Sequence, residues 1–167
     1  MDPLTQHRTQ KNHLFSDAHH SPLAGVPRGA VALSYYEPDA DLVFDLDLEA
    51  GDGSPLQVAT SDGAERTYRR AATVSFTVDD EPVNLTLYDT GHTGLFLPFR
   101  DTTNGSETYG AGRYLDLEPD SGRIVIDFNY AYNPFCAYND AYSCPLPPAE
   151  NWLRVPIRAG EREFTQA

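Results

Sequence analysis

Residues 73–87 read TVSFTVDDEPVNLTL, and the reading of this stretch decides the fold. Val74, Phe76 and Val78 alternate with Thr73, Ser75 and Thr77, and after Asp79-Asp80-Glu81 the alternation resumes as Val83, Leu85 and Leu87. A period of two sends one parity to a buried face and the other outward, which marks half-buried strands rather than a helix. The acidic triplet has turn chemistry, so the two halves are expected to pair as an antiparallel hairpin.

The same pattern recurs on both sides. Leu42, Phe44, Leu46 and Leu48 oppose Asp41, Asp45 and Asp47. Asp62-Gly63 separates Leu56–Thr60 from Glu65–Arg70, and Asp120-Ser121-Gly122 joins Arg113–Glu118 to Arg123–Phe128, each with the residues of a tight hairpin turn. Further strands are expected at Ala30–Tyr36, Gly94–Phe99 and Leu153–Arg158. Roughly nine or ten short strands punctuated by proline and glycine predict an all-β fold, mainly an antiparallel sandwich or partly open barrel. Crossover helices are lacking, which excludes a parallel α/β sheet. The one helix candidate is an N-terminal helix or arm over residues 1–20. Asp2 caps it, Pro3 suits its first turn, and Leu4, Lys11, Leu14 and Phe15 lie on one side to pack across an end or edge of the sheet.

A chain of 167 residues, 40% of them hydrophobic, fits a single domain spanning 1–167. It has no apolar run of about eighteen residues and no basic-then-apolar leader, so it is expected to be soluble and cytoplasmic, with no membrane partner. Acidic residues outnumber basic ones 25 to 12, and Lys11 is the single lysine. Such a surface suits concentrated salt, where self-repulsion is screened, and points to a halophilic, haloarchaeal-type protein. The net charge of −13 excludes nucleic acid as a partner, because binding phosphates needs a basic face.

Residues 127–153, DFNYAYNPFCAYNDAYSCPLPPAENWL, break the alternation. Both cysteines and the only tryptophan fall here, among tyrosines, asparagines and prolines, in a long glycine-free C-terminal segment expected to cap the β scaffold. Asp127 and Asn129 emerge on one side of the last strand, followed by Tyr132, Asn133, Cys136, Tyr138 and, near the end, Asn151. Polar groups among aromatic walls are how small-molecule sites are built. The bland reading is that these side chains satisfy the loop's own backbone.

Cys136 and Cys144 have neither redox nor zinc-knuckle spacing, which leaves three states open: a disulfide, two reduced buried thiols, or a nucleophile. A nucleophile needs a base, and His7, His13, His19, His20 and His92 all lie far off in sequence. No histidine pair has helical zinc spacing, so no metal is expected. Gly110 and Gly112 precede a strand rather than a helix, which argues against a phosphate cradle. Arg113 can pair internally with Asp101, Glu107 or Asp127, or hold an anionic ligand.

The segments TTNGSETYGAGRYLDLE and DFNYAYNPFCAYNDAYSCPLPPAENWLRVPIRAGE resemble the C-terminal signature of the uncharacterised domain-of-unknown-function family 1684. SPLAGV followed by ALSYYEPD, and RTYRRAATVSF, resemble its earlier blocks, so the likeness runs from about Arg8 to Glu163. The resemblance implies no activity. It favours the constellation of Arg113, Tyr114, Asp116, Asp127, Asn129, Tyr132, Asn133, Cys136, Tyr138, Cys144, Pro145, Pro148, Asn151 and Glu161 over the N-terminal histidines.

Two functions are therefore in play. In the first, a small polar or anionic molecule binds under the 127–151 loop. Arg113, Asn129, Tyr132, Asn133, Tyr138 and Asn151 contact it, and hydrolase-type acid/base chemistry would fall to Asp127 and Cys136 without a cofactor. In the second, the loop is a self-satisfied cap of a non-catalytic module, with Tyr130, Tyr142 and Trp152 offered to a protein partner.

Overall fold

The computed structural model describes residues 2–16, 33–139 and 141–164. The hairpin expected from residues 73–87 is its centre: β4 (Glu65–Val78) and β5 (Glu81–Asp89) pair antiparallel from Val78↔Glu81 to Arg69↔Asp89. Asp79 and Asp80 both hold positive φ, 49° and 64°, as a two-residue turn between twisted strands requires. Around this hairpin a six-stranded sheet runs β2 (Glu49–Ala50), β4, β5, β6 (Leu95–Phe99) and β7 (Arg113–Leu117), with β3 (Pro55–Ala59) also on β4. A second sheet consists of β1 (Val43–Asp47) and β8 (Arg123–Asp127). All pairings are antiparallel and the sheets do not close into a barrel.

The two sheets bury their inner faces against each other. Phe44, Leu46, Ile124 and Ile126 from the small sheet meet Val74, Phe76, Leu85, Leu87, Leu97, Phe99, Leu115 and Leu117 from the large one. Phe128 stands at the junction, 5.3 Å from Phe99 and 6.1 Å from both Phe44 and Phe76 between ring centres. Burial of this apolar surface is the main stabilising term.

Four local expectations change. The segments 65–70 and 73–78 form one fourteen-residue strand, β4, because a bulge between Arg70 and Ala72 carries the pairing through. Gly51 packs into that bulge, where a Cβ would lie 2.3 Å from the Arg70 carbonyl oxygen. The turn at Asp120–Gly122 forms, with Asp120 and Arg123 exchanging backbone bonds of 2.8 and 2.9 Å, yet β7 and β8 part beyond it into different sheets. Their inward residues, Leu115 and Leu117 against Ile124 and Ile126, join the core from opposite layers, as at the corner of a sandwich. Residues 153–158 lie beside the end of β6 without becoming a strand, because the chain bends at Arg154 and Val155 after Leu153 donates to Arg100 O at 2.7 Å. Of the proposed strand 30–36, residues 30–32 lie outside the described residues, and Tyr35 makes an isolated bridge to Glu161.

The N-terminal helix α1 spans Pro3–Ser16, capped by Asp2, whose carboxylate accepts the Thr5 N–H at 3.0 Å and hydroxyl at 2.6 Å. Phe15 is fully buried against Tyr138, whereas Leu14, expected on the same side, is exposed. Arg8 anchors the helix, donating to Tyr36 O and Asn129 O while stacking over Tyr35. No helix among the described residues is long and apolar enough to cross a membrane.

Candidate functional site

After β8 the chain leaves Phe128 and Ala131 in the core and then carries residues such as Tyr132, Phe135 and Cys144 over the outer face of the large sheet. A 3₁₀ turn at Phe128–Tyr130 is capped by Asp127, and further turns at Phe135–Ala137 and Ala149–Asn151 fold the segment onto the strands. Tyr132 exchanges backbone bonds of 2.8 and 3.0 Å with Tyr114, which covers the free edge of β7. At the opposite edge Ser61 N–H donates to Cys144 O at 2.9 Å and Leu146 N–H to Ala59 O at 2.8 Å, which covers β3. Sheet edges left open invite pairing with other chains, and this one segment partly covers β7 and β3.

Most of the polar residues singled out in the sequence hold this segment down. Asn129 mimics a peptide: its Oδ1 accepts Asp39 N–H at 2.9 Å, and its Nδ2 donates to Asp39 O at 3.0 Å and Asp127 Oδ1 at 2.9 Å. Asp127 Oδ1 also accepts the Asn129 N–H at 2.9 Å. Asn133 Nδ2 donates to Arg162 O at 2.9 Å and to the Tyr138 hydroxyl at 3.1 Å; its buried Oδ1 has no partner among the described residues. The Tyr138 hydroxyl donates in turn to Glu161, which is buried and paired with Lys11 of the helix. Burial and the neighbouring Glu161 carboxylate raise the Tyr138 pKa, so the phenol stays protonated as a donor.

Arg113 points into the protein and is fully buried. It pairs with Asp101 at 3.1 Å and donates to the carbonyls of Ile157 at 2.7 Å, Ala159 and Glu161, while Asp101 also takes the Ile157 N–H at 2.6 Å. Burial pulls the guanidinium pKa down and Asp101 opposes that shift, keeping it charged. Among the carboxylates offered to it by the sequence, Asp101 is the partner. Asn151 sits on β5 and β6 and closes a gap between them through Thr86 and Pro98.

Beneath the segment lies an open cavity of about 740 Å³. Its floor is the outer face of β4, β6 and β7, with Tyr68, Phe96, Tyr114 and Asp116, continued by Tyr132. Pro134, Phe135, Tyr142, Ser143 and Cys144 form the roof, while Arg66, Thr67, His92 and Thr93 stand on the rim. Of Arg113, Asp127, Asn129, Tyr132, Asn133, Cys136, Tyr138 and Asn151, Tyr132 alone lines it. Its hydroxyl donates to Asp116 at 2.7 Å. Of the floor residues, Tyr114, Asp116 and Tyr132 were named through the family resemblance, whereas Tyr68 and Phe96 went unnoticed, Phe96 because alternation assigns its position to solvent. The available signal was aromatic side chains at that parity: Tyr88, Phe96 and Tyr114 in three consecutive strands.

Cys136 and Cys144 are unbridged and buried, with the Cys136 N–H donating to Cys144 Sγ at 3.3 Å. Burial pushes the Cys144 pKa up to about 11, so near neutrality it is a thiol and a poor nucleophile. Burial likewise raises the Tyr114 and Tyr132 pKa values, the Asp116 carboxylate adding to the latter. Among the described residues no three His, Cys, Asp or Glu side chains are gathered to hold a metal, and His19 and His20 lie outside those residues. The cavity therefore presents rings, hydroxyls, Arg66 and His92 to its interior and rim.

No curated protein matches the chain. The solution NMR structure of an uncharacterised protein of Haloarcula marismortui is similar, with a TM-score of 0.72 and 39% identity over 95% of this chain and 91% of that one. The model of the family described as protein of unknown function (DUF1684) matches residues 31–162. With most of its length under that model, the chain belongs to the DUF1684 family.

Proposed function

We propose that the protein is a small-molecule binding domain whose site is the ring-walled cavity beneath residues 132–145. The observation that carries this reading is a 740 Å³ opening whose walls carry six aromatic rings and whose rim bears an arginine and a histidine. Volume and lining of that kind are those of ligand sites. Arg113, Asn129, Asn133, Tyr138 and Asn151 serve the site indirectly, by anchoring the C-terminal segment on either side of the roof. Asp127 and Cys136 are engaged in the same scaffold, so binding rather than acid/base catalysis is the role the geometry supports. The acidic, lysine-poor composition and the likeness to a Haloarcula protein support a working environment of concentrated salt inside the cell.

The bonding of Asn129, Asn133 and Asn151 favours a second reading, in which the segment only seals the sheet edges. A thermal-shift screen of metabolites in concentrated KCl separates the two. A ligand at about one hundred times its Kd adds roughly 2.7 kcal/mol of stability. Thr93→Trp, which places an indole at the cavity rim, should abolish that gain without unfolding the protein. Absence of any stabilising compound, or stabilisation that survives Thr93→Trp, would leave the sealing role alone.

A further inference from the structure

Resting on that binding role, we propose that the cavity takes a planar organic anion, a flat ring carrying a carboxylate or phosphate. The ring would lie between the aromatic walls, and Arg66 and His92 would meet the charge at the rim. The floor is a chain of edge-to-face contacts. Phe96 lies 6.0 Å from Tyr68 at 86° and 4.8 Å from Tyr114 at 70°, and Tyr114 lies 5.7 Å from Tyr132 at 87°. Phe135 and Tyr142, 5.2 Å apart, oppose them from the roof. Such a slot presents alternating ring faces and edges, whose opposite partial charges suit a flat π-system better than an aliphatic body.

The charge of the ligand follows from which groups remain uncommitted. Arg66, His92 and Asp116 are the ionisable side chains on the rim and floor apart from the phenols and the Cys144 thiol. Asp116 already accepts the Tyr132 hydroxyl. Arg66 gives Nη2 to Ser143 O at 2.7 Å, which fixes its plane against the roof and leaves its Nε and Nη1 donors uncommitted among the described residues. His92 offers a ring N–H in either charge state. Among the other described arginines, Arg70, Arg113, Arg123 and Arg158 pair with carboxylates, Arg8 and Arg69 serve carbonyls, and Arg100 and Arg162 stack over rings. In a chain of net charge −13, an arginine with open donors over an aromatic cavity is a feature that solubility does not require. Arg66 and His92 are exposed, and salt near 1 M shortens electrostatic reach to about 3 Å, so charge alone would hold nothing. The ring must supply the affinity and the anion the selectivity.

Calorimetric titration in concentrated KCl, with amide-shift mapping, tests this using three probes: 2-naphthoate, 2-naphthylmethanol and cyclohexanecarboxylate. We expect 2-naphthoate to bind about tenfold or more tighter than either comparator, a difference near 1.4 kcal/mol, and to shift the amides of Arg66, His92, Phe96 and Tyr142. Arg66→Gln should erase the preference for naphthoate over naphthylmethanol, the larger loss falling on naphthoate. His92→Gln, on the exposed β5–β6 turn, should reduce the same preference and serves if Arg66→Gln proves unfolded. Equal affinity for naphthoate and naphthylmethanol would overturn the anion while the cavity stands. Equal affinity for cyclohexanecarboxylate would overturn the ring. Failure of all three probes to shift any cavity amide would overturn the binding role as well.

Discussion

Asn151 substitutes for a stretch of β-ladder, and its replacement tests how the C-terminal segment is held on the sheet. Strands β5 and β6 pair only at Tyr88↔Phe96, and farther along the side-chain amide fills the space between them. Asn151 Oδ1 accepts Thr86 N–H at 2.8 Å, and Nδ2 donates to Thr86 O at 2.8 Å and Pro98 O at 2.9 Å, all in a fully buried setting. Asn151→Leu has similar volume and strands three backbone groups, each costing about 1–3 kcal/mol when left unsatisfied. Allowing for relaxation and for the leucine's own burial, we expect a loss of about 3–5 kcal/mol, a large share of the 5–15 kcal/mol typical of a domain. Urea denaturation at constant KCl, extrapolated linearly, measures it. Asn151→Asp adds a sign: the carboxylate faces two carbonyl oxygens, so its folded pKa rises above the unfolded value near 3.9. The unfolded state then binds fewer protons, and the variant's deficit must grow as pH climbs from about 4 toward that raised pKa. A loss below about 1 kcal/mol in Asn151→Leu, or a deficit in Asn151→Asp that stays flat over that range, would refute the argument.

Asp101→Asn should cost about 3–5 kcal/mol, because it leaves the buried Arg113 guanidinium without its carboxylate, and Asp101→Leu combined with Arg113→Met should cost less than the sum of the singles in urea melts. Gly112→Ala should cost about 2–4 kcal/mol: its φ is +112°, and a Cβ there would lie 2.6 Å from Phe99 O and 2.8 Å from Pro147 Cγ. Iodoacetamide should modify Cys144 slowly at neutral pH and faster toward pH 11, where the buried thiol titrates. Because the unfolded thiol ionises near 8.5, its contribution to stability is lost between about 8.5 and 11, and Cys144→Ala should lack that component of alkaline destabilisation.

The parts of the fold legible in the sequence are those set by neighbours along the chain. Val74, Phe76, Val83, Leu85 and Leu87 announce their strands by parity, and Asp79-Asp80 announces the turn because few other residues accept positive φ there. Partnership between distant segments is not encoded so locally. The turn at Asp120–Gly122 carries hairpin residues, yet β8 leaves for β1, since joining the opposite layer lets Ile124 and Ile126 cover Leu115 and Leu117. The bulge at Arg70/Ala72 is equally hidden. It carries no proline or glycine of its own and depends on Gly51, some twenty residues earlier in the chain, for room to form.

That bulge also explains why the cavity wall was harder to read than its roof. Even-numbered residues of β4 from Ala72 onward face the core, with Ala72 opposite Leu87 and Val74 opposite Leu85. Before the extra residue the parity inverts, Arg70 lying opposite Tyr88, so Tyr68 turns to the outer face and packs with Tyr88 and Phe96. Uninterrupted alternation would have buried Tyr68 beside Val74 and left Phe96 and Tyr114 without a neighbour across β4. The polar side chains of residues 127–151 are conspicuous because a long glycine-free segment must satisfy its own backbone, and Asn129, Asn133 and Asn151 show where that capacity goes. The ring wall follows from a different logic: aromatic residues on the outward parity of adjacent strands need a cover, and the cover reaches them only in part. What it leaves open between Phe96 and Tyr142 is the cavity, whose roof is tied to β4 and the turn between β3 and β4 by Arg66 and Ser61 through Tyr142 O, Ser143 O and Cys144 O, while the asparagines anchor the segment on either side.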